Sequence, residues 1–401
     1  MEVQVDFFQP NFKNDAYQVY TQLRSEDPVH RVTLPDGQTA WMVMDYENAL
    51  AVLKDDRLIK DPTKLLDQEE LKRMMPVKER EIFTHHMLSS DPPDHSRLRS
   101  LVHKAFTPRM VEQLEGRIEQ IANQLLEGFV HRGQVDLITE YAYPLPIIII
   151  CEMLGIPERD HDQFREWTSA IFDSSNNPEK MKEAQENTRA FIRYLQVLIE
   201  ERRQDPSDDL ISALVHAEEE GDMLTEKELY ATISLLIIAG HETTVNLIGN
   251  GVRALLESPD QLEKLKRAPE LAPSAVEEIL RYYSPVEVSS NRWASESFML
   301  QGRKINKGDR VLAVVASANR DETRFENPDR FDITRRDNRH LTFGMGIHFC
   351  LGAPLARLEG RIALNALLHH LPNMKLQGEF DSLQWRDSFF NRGLIKLPIV
   401  W

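Results

Sequence analysis

Apolar residues recur at helical spacing through most of the chain up to about residue 285. The longest such pattern begins at Thr225, where Thr225 and Glu228 form a capping box, and continues to about Ser258. We expect a single helix of roughly 33 residues there, ~50 Å long at 1.5 Å per residue. Another helix is predicted from Pro354 onward, because one of its faces carries the apolar side chains of Leu355, Leu358, Ile362 and Leu367.

A smaller part of the chain alternates between apolar and polar residues, as strands do. Residues 29–34 and 39–44 flank a Pro-Asp-Gly turn, and a second hairpin pattern covers residues 298–305 and 311–315 with a turn at 307–309. The chain has no linker, repeat or low-complexity run. We therefore expect one domain over residues 1–401, mainly α with a smaller β portion (α+β), although length alone would suit two or three domains.

Composition excludes several classes of function. The chain has 401 residues, 41% of them hydrophobic, and a net charge of −16 that argues against general nucleic-acid binding. Its two cysteines, Cys151 and Cys350, lie far apart and offer no disulfide framework, so we expect a reducing cytoplasm and an inert core role for Cys151. Residues 1–6 lack the apolar core of a signal peptide, and the apolar run 147–151 is far shorter than the ~20 residues of a membrane span. We expect a monomer without a membrane anchor.

Cys350 lies on a glycine-rich loop that leads directly into the helix predicted from Pro354. The loop has the pattern Phe343-x-x-Gly346-x-x-x-Cys350-x-Gly352. Free backbone N–H groups and the positive end of a helix dipole favour a thiolate there, and glycines allow close approach of the backbone. A lone thiolate suits haem iron as an axial ligand, whereas a zinc site would need a CxxC or a second cysteine nearby. Taken alone, the pattern also fits a half-buried cysteine before an ordinary helix.

Two charged pairs stand at helical spacing. His95 and Arg99 are four residues apart and share a face, so together they can hold a carboxylate. A basic amphipathic face is the alternative. Glu278 and Arg281 are three residues apart, which by itself is an ordinary helical ion pair.

The long helix is unusual in its middle, where an apolar run ends at Gly240 and is followed by Glu242 and Thr243. Gly240 removes bulk, and Thr243 can hydrogen-bond a carbonyl one turn back, which bends a helix. Together they could open a small polar notch, large enough for dioxygen and water. A packing seam with a back-bonded threonine is the alternative.

The cysteine loop resembles the haem-binding signature of the cytochrome P450 monooxygenases. The other segments follow in that family's order, so the resemblance covers nearly the whole chain. It implies one haem b, with Cys350 as the axial thiolate ligand of the iron. The residues that it implies for binding the cofactor are His95, Arg99, Arg292, Phe343, Gly346, His348 and Gly352.

The resemblance also implies roles for the charged and polar positions. Thr243 would hold a water or hydroperoxide, and Glu242 would relay protons from solvent, because cleaving the O–O bond of dioxygen requires two protons. A buried structural network that positions the cysteine loop would consist of Glu278, Arg281 and Arg330.

In the family, residues 61–87 cap the substrate pocket and residues 162–205 match a mobile lid. For residues 61–87 a surface helix with ordinary core contacts is an equal alternative. The pocket residues carried over by alignment of motifs are Met87, Leu235, Ile238, Ala239, Val288 and Phe389. They are apolar, so we expect a hydrophobic substrate. Residues 97–102 and 351–359 look most like bacterial hydroxylases of macrolides and other polyketides, a branch that also accepts steroids, statins and fatty acids.

The expected reaction inserts one dioxygen atom into a C–H bond, with electrons from NAD(P)H supplied through a separate reductase and a ferredoxin or flavodoxin. The chain has no flavin or dinucleotide fingerprint of its own. A basic cluster would lie where an acidic electron donor docks, or be a solvated charged face; its members are Arg97, Arg99, His103, Lys104 and Arg109. A peroxygenase driven by hydrogen peroxide is an alternative that Glu242 and Thr243 count against. A haem sensor or carrier without turnover is another, although no output domain accompanies it.

Overall fold

The computed structural model describes residues 7, 9, 12–34, 37–67, 69, 71, 84–161, 163–164, 166–167, 178–219 and 221–401, with only the backbone of 178–185 and 218–219. The chain is mainly helical with a smaller β portion, as predicted. It divides into two compact units, the first formed by residues 1–76, 115–143 and 242–401 and the second by residues 77–114 and 144–241. A single domain over residues 1–401 stays a prediction.

The described helices, in chain order, are α1 (Phe12–Glu26), α2 (Tyr46–Lys54), α3 (Asp94–Ala105), α4 (Pro108–Gln113), α5 (Glu115–Glu127), α6 (Pro144–Leu154), α7 (Pro178–Gln204), α8 (Leu210–Val215), α9 (Glu226–Glu257), α10 (Pro259–Arg267), α11 (Ala272–Tyr282), α12 (Val315–Ala318) and α13 (Ala353–His370). The strands are β1 (Val29–Thr33), β2 (Thr39–Val43), β3 (Leu58–Ile59), β4 (Gln134–Asp136), β5 (Glu218–Glu219), β6 (Asp222–Met223), β7 (Arg292–Ala294), β8 (Phe298–Leu300), β9 (Arg303–Ile305), β10 (Arg310–Ala313), β11 (Lys375–Leu376) and β12 (Pro398–Val400).

The first unit contains a five-stranded sheet with the order β1-β2-β10-β7-β3 and a three-stranded sheet with the order β11-β12-β4. In the larger sheet β10 runs parallel to β2 and antiparallel to β7. Successive residues of a strand point to opposite faces. Accordingly Met42 and Leu312 pack with α1, whereas Val43 and Val311 pack with α2. The sheet is therefore covered by a helix on each face.

The hairpin predicted over residues 29–44 is confirmed, because β1 and β2 pair antiparallel with Val29 opposite Val43. Its turn residues Pro35 and Asp36 lie outside the described residues. The second hairpin differs from the prediction, since β8 and β9 pair with each other around Gln301 and Gly302. Both turn residues have positive φ, 46° and 72°, which is the conformation that closes two-residue hairpins. Residues 307–309 instead lead from β9 to β10.

In the second unit, α8 contacts α3, α6 and α7. Helix α6 is apolar on nearly all sides and mostly buried, including Cys151. Burial raises the pKa of the Cys151 thiol to about 12, which confirms the inert core role expected for it. Arg202 of α7 holds the end of α6, because it donates to the Gly155 carbonyl at 2.9 Å and pairs with Asp209 at 2.5 Å.

The long helix α9 has 32 residues, in agreement with the sequence pattern. Its capping box is formed: the Thr225 N–H donates to Glu228 at 2.8 Å, and the Glu228 N–H donates to Thr225 Oγ1 at 3.4 Å. Within the described residues α9 is long and apolar enough to cross a membrane, but 67% of its most apolar stretch is buried in the protein, as in the core helix of a globular protein. Along the sequence, the boundary between the two units falls within α9, after His241.

Candidate active site

The glycines of the cysteine loop are required by its backbone. Gly344 and Gly346 have φ of 67° and 74°, a region that other residues rarely adopt. A Cβ at Gly346 would also lie 3.2 Å from the carbonyl oxygen of Leu53, at the end of α2. These turns bring the ends of the loop together, so that the Cys350 N–H donates to the Phe343 carbonyl at 2.9 Å.

Cys350 immediately precedes α13 and is exposed. Gly352 is the N-terminal cap of that helix, and a Cβ there would lie 4.0 Å from the Cys350 sulfur. A side chain at this position would therefore touch the sulfur at ordinary van der Waals distance. The thiol therefore stands at the positive end of a helix dipole, the placement predicted from the sequence.

Thr342 anchors the start of the loop to the first unit. Its Oγ1 donates to the Leu280 carbonyl at 2.7 Å and accepts from Asn319 Nδ2 at 2.9 Å. The side chain of Asn319 also accepts the Leu341 N–H at 2.8 Å. Because these groups are buried, their hydrogen bonds hold the residue before Phe343 in one place.

A charged cluster that sequence reasoning missed surrounds the Phe343 ring. Arg357 lies 4.6 Å above the ring centroid and makes two hydrogen bonds to Glu277, at 2.7 and 2.9 Å. His340 contacts the ring and lies 3.2 Å from Glu277. Burial alone would raise the pKa of Glu277, but His340 and Arg357 lower it to about 2. In the sequence, Glu277 is visible only as a charged residue next to Glu278, and Arg357 only as one seven residues after Cys350. Nothing in the sequence indicates that the two residues form a pair.

Behind the loop, Glu278 and Arg281 are fully buried and form two hydrogen bonds of 2.8 Å each. The third member of the network is Arg335, whose Nε lies 3.1 Å from Glu278, and not Arg330 as predicted. Arg330 is exposed. It contributes only its backbone carbonyl oxygen to the network, which accepts a hydrogen bond from Arg281 at 3.2 Å. The turn after residue 326 decides the outcome, since Arg335 also donates to the Glu326 carbonyl at 2.8 Å and is thereby directed inward.

Arg292 tests whether the described residues fit the haem expected from the resemblance. Its side chain is buried at the start of β7, and among the described residues it donates one hydrogen bond, to the Ser290 carbonyl at 3.2 Å. Within the part of the chain that the structure describes, no carboxylate pairs with it, and burial lowers the pKa of the guanidinium to about 10. A buried cation without an acid is stabilised by an anionic ligand. Arg292 therefore fits a haem propionate, which would supply the missing charge.

Glu242 and Thr243 lie half-buried on α9, in the part that belongs to the first unit. The carboxylate of Glu242 accepts a hydrogen bond from Asn391 Nδ2 at 3.3 Å. Gly240, in the second unit, has a packing reason that the sequence did not show. A Cβ there would lie 3.1 Å from Ile150 of α6.

The second unit holds the other predicted propionate ligands. His95 is buried and Arg99 half-buried on α3, and their spacing puts them on one face as expected. In the basic cluster, Arg97 pairs with Glu228 and with Asp222 at 3.3 Å, so its charge is neutralised inside the unit. The members that remain exposed are His103, Lys104 and Arg109.

The predicted pocket residues differ in exposure. In the second unit, Met87 and Leu235 are buried, Ile238 is half-buried and Ala239 is exposed. In the first unit, Val288 is 1% exposed within the core that contains Met42 and Leu312, and half-buried Phe389 packs against the same core. The pocket role of these six residues stays a prediction, as do the roles of the loop residues and of His348, which lies in the turn Gly346–His348.

Glu359 is a buried acid that the sequence did not single out. It lies on α13 and is 2% exposed, and its Oε2 has no hydrogen-bond partner among the described residues. Burial raises the pKa of this carboxyl to about 8, so it is neutral at pH 7. The burial of Glu359 could be inferred from sequence only through its position on the helix, where residue 359 lies on the same buried face as Leu355 and Ile362.

Comparison with known proteins gives consistent matches. The family model described as Cytochrome P450 matches residues 160–379. The polyketide biosynthesis cytochrome P450 PksS of Bacillus subtilis is 48% identical over 391 residues, which cover 97% of this chain and 96% of that protein. The solved structure of PksS has a TM-score of 0.93 at 45% identity, with 99% of both chains covered. The myxobacterial cytochrome P450 CYP267B1, solved in complex with myristic acid, has a TM-score of 0.92 at 41% identity, with 98% of both chains covered.

A relative this similar over nearly the whole chain is sufficient to assign the family. The glycine-rich cysteine loop agrees with that assignment, and so does the buried Arg292, which has no acid partner among the described residues. The chain belongs to the cytochrome P450 family and is a haem b monooxygenase that hydroxylates C–H bonds of a hydrophobic small molecule.

Proposed function

We propose that Cys350 is the axial ligand of the haem iron, and that the enzyme hydroxylates a polyketide-like substrate. The single observation that supports the ligand assignment best is an exposed thiol just before α13, on a loop that Gly344 and Gly346 turn with positive φ. A thiolate-ligated haem supplies the oxidising chemistry that splits dioxygen and attacks a C–H bond. The overall reaction consumes substrate, O2, NAD(P)H and one proton, and yields the alcohol, water and NAD(P)+.

In this proposal the cofactor is held by the donors that the family resemblance implies. Arg292 binds one propionate, and its burial makes the charge pair strong. His95, Arg99 and His348 bind propionates as further donors. Arg357 stands over Phe343, and its pKa is raised by Glu277 and also by the charge of Cys350.

Glu242 and Thr243 deliver protons. The Thr243 hydroxyl holds a water near the reacting oxygen, and the Glu242 carboxylate takes a proton from solvent and passes it to that water. Without this supply, the two electrons from NADPH leave as hydrogen peroxide, in the balance O2 + NADPH + H+ → H2O2 + NADP+. The same two residues disfavour the peroxygenase alternative.

The substrate is proposed to be a polyketide because the relative PksS is named for polyketide biosynthesis and is 48% identical. The candidate pocket residues are apolar, which suits a large lipophilic molecule. A fatty acid is the second candidate, since CYP267B1 is solved with myristic acid and has a TM-score of 0.92.

Electrons are proposed to arrive from NAD(P)H through a reductase and a ferredoxin or flavodoxin, in the cytoplasm. An acidic donor would dock at exposed basic residues, and His103, Lys104 and Arg109 are exposed on and after α3. Arg97 is not proposed as a docking residue, because Glu228 and Asp222 already neutralise it.

The absorption spectrum of the reduced protein with carbon monoxide tests the ligand assignment. Wild type should show a strongly red-shifted Soret band, and Cys350→Ser should lose it. Cys151→Ser is the matched control, since Cys151 is buried in α6 and should leave the band unchanged. A red-shifted band that survives in Cys350→Ser would refute the assignment. Titration with a macrolactone and with myristic acid, followed by the spin-state shift of the Soret band, then separates the two substrate classes.

A further inference from the structure

The part of α9 in the first unit carries a polar seam, defined here as Glu242, Asn246 and Asn250. The three residues recur every four positions and so share one face of the helix. The seam is buried at Asn246 and Asn250 and half-buried at Glu242. The residues between them that are most deeply buried are apolar, namely Val245, Leu247 and Ile248.

The seam is covered by residues 391–393, near the end of the chain. Asn250 Nδ2 donates to the carbonyl oxygens of Arg392 at 2.9 Å and of Tyr283 at 3.0 Å. Gly393 lies against Asn246, since a Cβ on Gly393 would be 1.8 Å from the Asn246 side-chain oxygen. Because only glycine can approach a side chain so closely, residues 391–393 pack directly against α9.

At the half-buried end of the seam, the side chain of Asn391 contacts Glu242. Asn391 Nδ2 donates to Glu242 Oε2 at 3.3 Å. The backbone of Asn391 is held independently, because its N–H donates to Ser388 Oγ at 3.2 Å and its residue bridges Val286. Its carbonyl oxygen also accepts a hydrogen bond from the Lys13 ammonium. The side-chain amide therefore reaches Glu242 from a backbone held at three points.

The charges behind Asn391 favour a carboxylate in front of it. Lys13 and Arg392 both pair with the buried Glu287, at 3.1 and 3.2 Å. Two cations thus share one buried acid, and the exposed Asp387 is the further acid that acts on Lys13. Positive charge on this side of Asn391 favours a hydrogen-bond acceptor such as the Glu242 carboxylate opposite the amide.

We propose that Asn391 is a positioning residue for the reaction: its amide holds the Glu242 carboxylate in the orientation from which Glu242 delivers protons. A glutamate side chain has several rotamers, and a fixed donor selects the one in which Oε2 faces residue 391. The inference rests on the proposed role of Glu242. It adds a residue that the sequence separates from Glu242 by 149 positions.

A double-mutant cycle tests the proposal on the haem-loaded enzyme. The ratio of hydrogen peroxide released to NADPH consumed is measured with surrogate ferredoxin and reductase, and with myristic acid as the probe. Asn391→Ala should raise the ratio about fivefold, the change in rate that the loss of one hydrogen bond produces. In Glu242→Gln, which should itself raise the ratio, adding Asn391→Ala should have no further effect. Ser388→Ala is the matched control, since it removes one of the three points that hold the Asn391 backbone and keeps the other two and the side-chain amide.

A second readout does not depend on turnover. The infrared C–O stretch of the carbon monoxide complex responds to hydrogen-bond donors and charges near the bound gas. Asn391→Ala and Glu242→Gln should shift or broaden this band in the same way, and Ser388→Ala should not. Asn391→Asp is a near-isosteric variant that places a second carboxylate against Glu242, and it should raise the peroxide ratio more than Asn391→Ala does.

The outcomes separate the inference from the proposed function. If Glu242→Gln raises peroxide release and Asn391→Ala does not, Glu242 keeps its role and the positioning role is refuted. If the effect of Asn391→Ala persists in the Glu242→Gln background, Asn391 acts through some other group and the inference is overturned. If Glu242→Gln itself changes nothing, the proton-delivery role fails and the inference fails with it.

Discussion

Glu359 should make the stability of this enzyme fall as pH rises. The carboxyl is buried on α13, its Oε2 has no described hydrogen-bond partner, and burial raises its pKa from 4.5 to about 8. Below the ordinary pKa both the folded and the unfolded chain carry the proton. Between that value and the folded one only the folded chain does, so the free energy of unfolding decreases with pH. Above the folded pKa both states are ionised and the decrease ends.

The size of the effect follows from the two pKa values. The free energy of unfolding should fall by ~1.4 kcal/mol for each pH unit inside the window, which sums to roughly 3–5 kcal/mol. Glu359→Gln keeps the shape of the side chain and cannot ionise. Its stability relative to wild type should therefore increase steadily from about pH 5 to about pH 8.

Urea unfolding of the haem-loaded protein, followed by near-ultraviolet circular dichroism at several pH values, measures the difference between the variant and wild type. Glu119→Gln is the matched control, because Glu119 is exposed on α5 and its replacement should give no such trend. A difference between Glu359→Gln and wild type that stays constant across the window would show that Glu359 ionises near its ordinary pKa. The reasoning from burial would then be wrong.

Three further changes have distinct expected outcomes. Thr243→Ala should keep the haem and its spectra but divert NADPH to hydrogen peroxide, and unchanged coupling of NADPH to product would remove Thr243 from the mechanism. Arg335→Met should lower the free energy of unfolding in urea by several kcal/mol, because the fully buried Glu278 loses a partner. Arg330→Met should change it by less than ~0.5 kcal/mol, because Arg330 is exposed. Equal effects of the two variants would contradict the network described here. Arg292→Met should speed haem loss to apomyoglobin and yet leave the apoprotein at least as stable in thermal unfolding, because the buried cation has no described acid. An apoprotein that the change destabilises would point to an unrecognised partner of Arg292.

The cysteine loop, the capping box of α9 and the first hairpin could all be predicted, because each depends on residues that are close together in sequence. The positive φ of Gly344 and Gly346 explains why the loop needs glycine at these two places. The family resemblance also depends on such short patterns. The comparison with known proteins therefore confirmed the family.

The buried network shows where sequence reasoning failed. Arg330 and Arg335 lie in the same polar stretch, and each could have reached Glu278 as far as spacing can tell. Only the path of the turn after residue 326 makes Arg335 the partner, with its Nε 3.1 Å from the acid, and leaves the Arg330 side chain exposed. The second hairpin was wrong for a related reason. Two Gly-containing turns stand close together, and strand pairing with β2 decides how each one is used.

By itself the sequence determined the mainly helical class, the glycine-rich thiol at a helix start and the acid–alcohol pair on α9, since helix periodicity, capping and backbone freedom act over a few residues. The tertiary structure alone decided which charges are buried and which partners they have. It brought Asn391 to Glu242, set Arg357 and His340 against the Phe343 ring, and enclosed Arg292 and Glu359 without a described counter-charge. The physical reason is that desolvation and Coulomb energies depend on distances between residues far apart in sequence, and those distances exist only once the chain has folded.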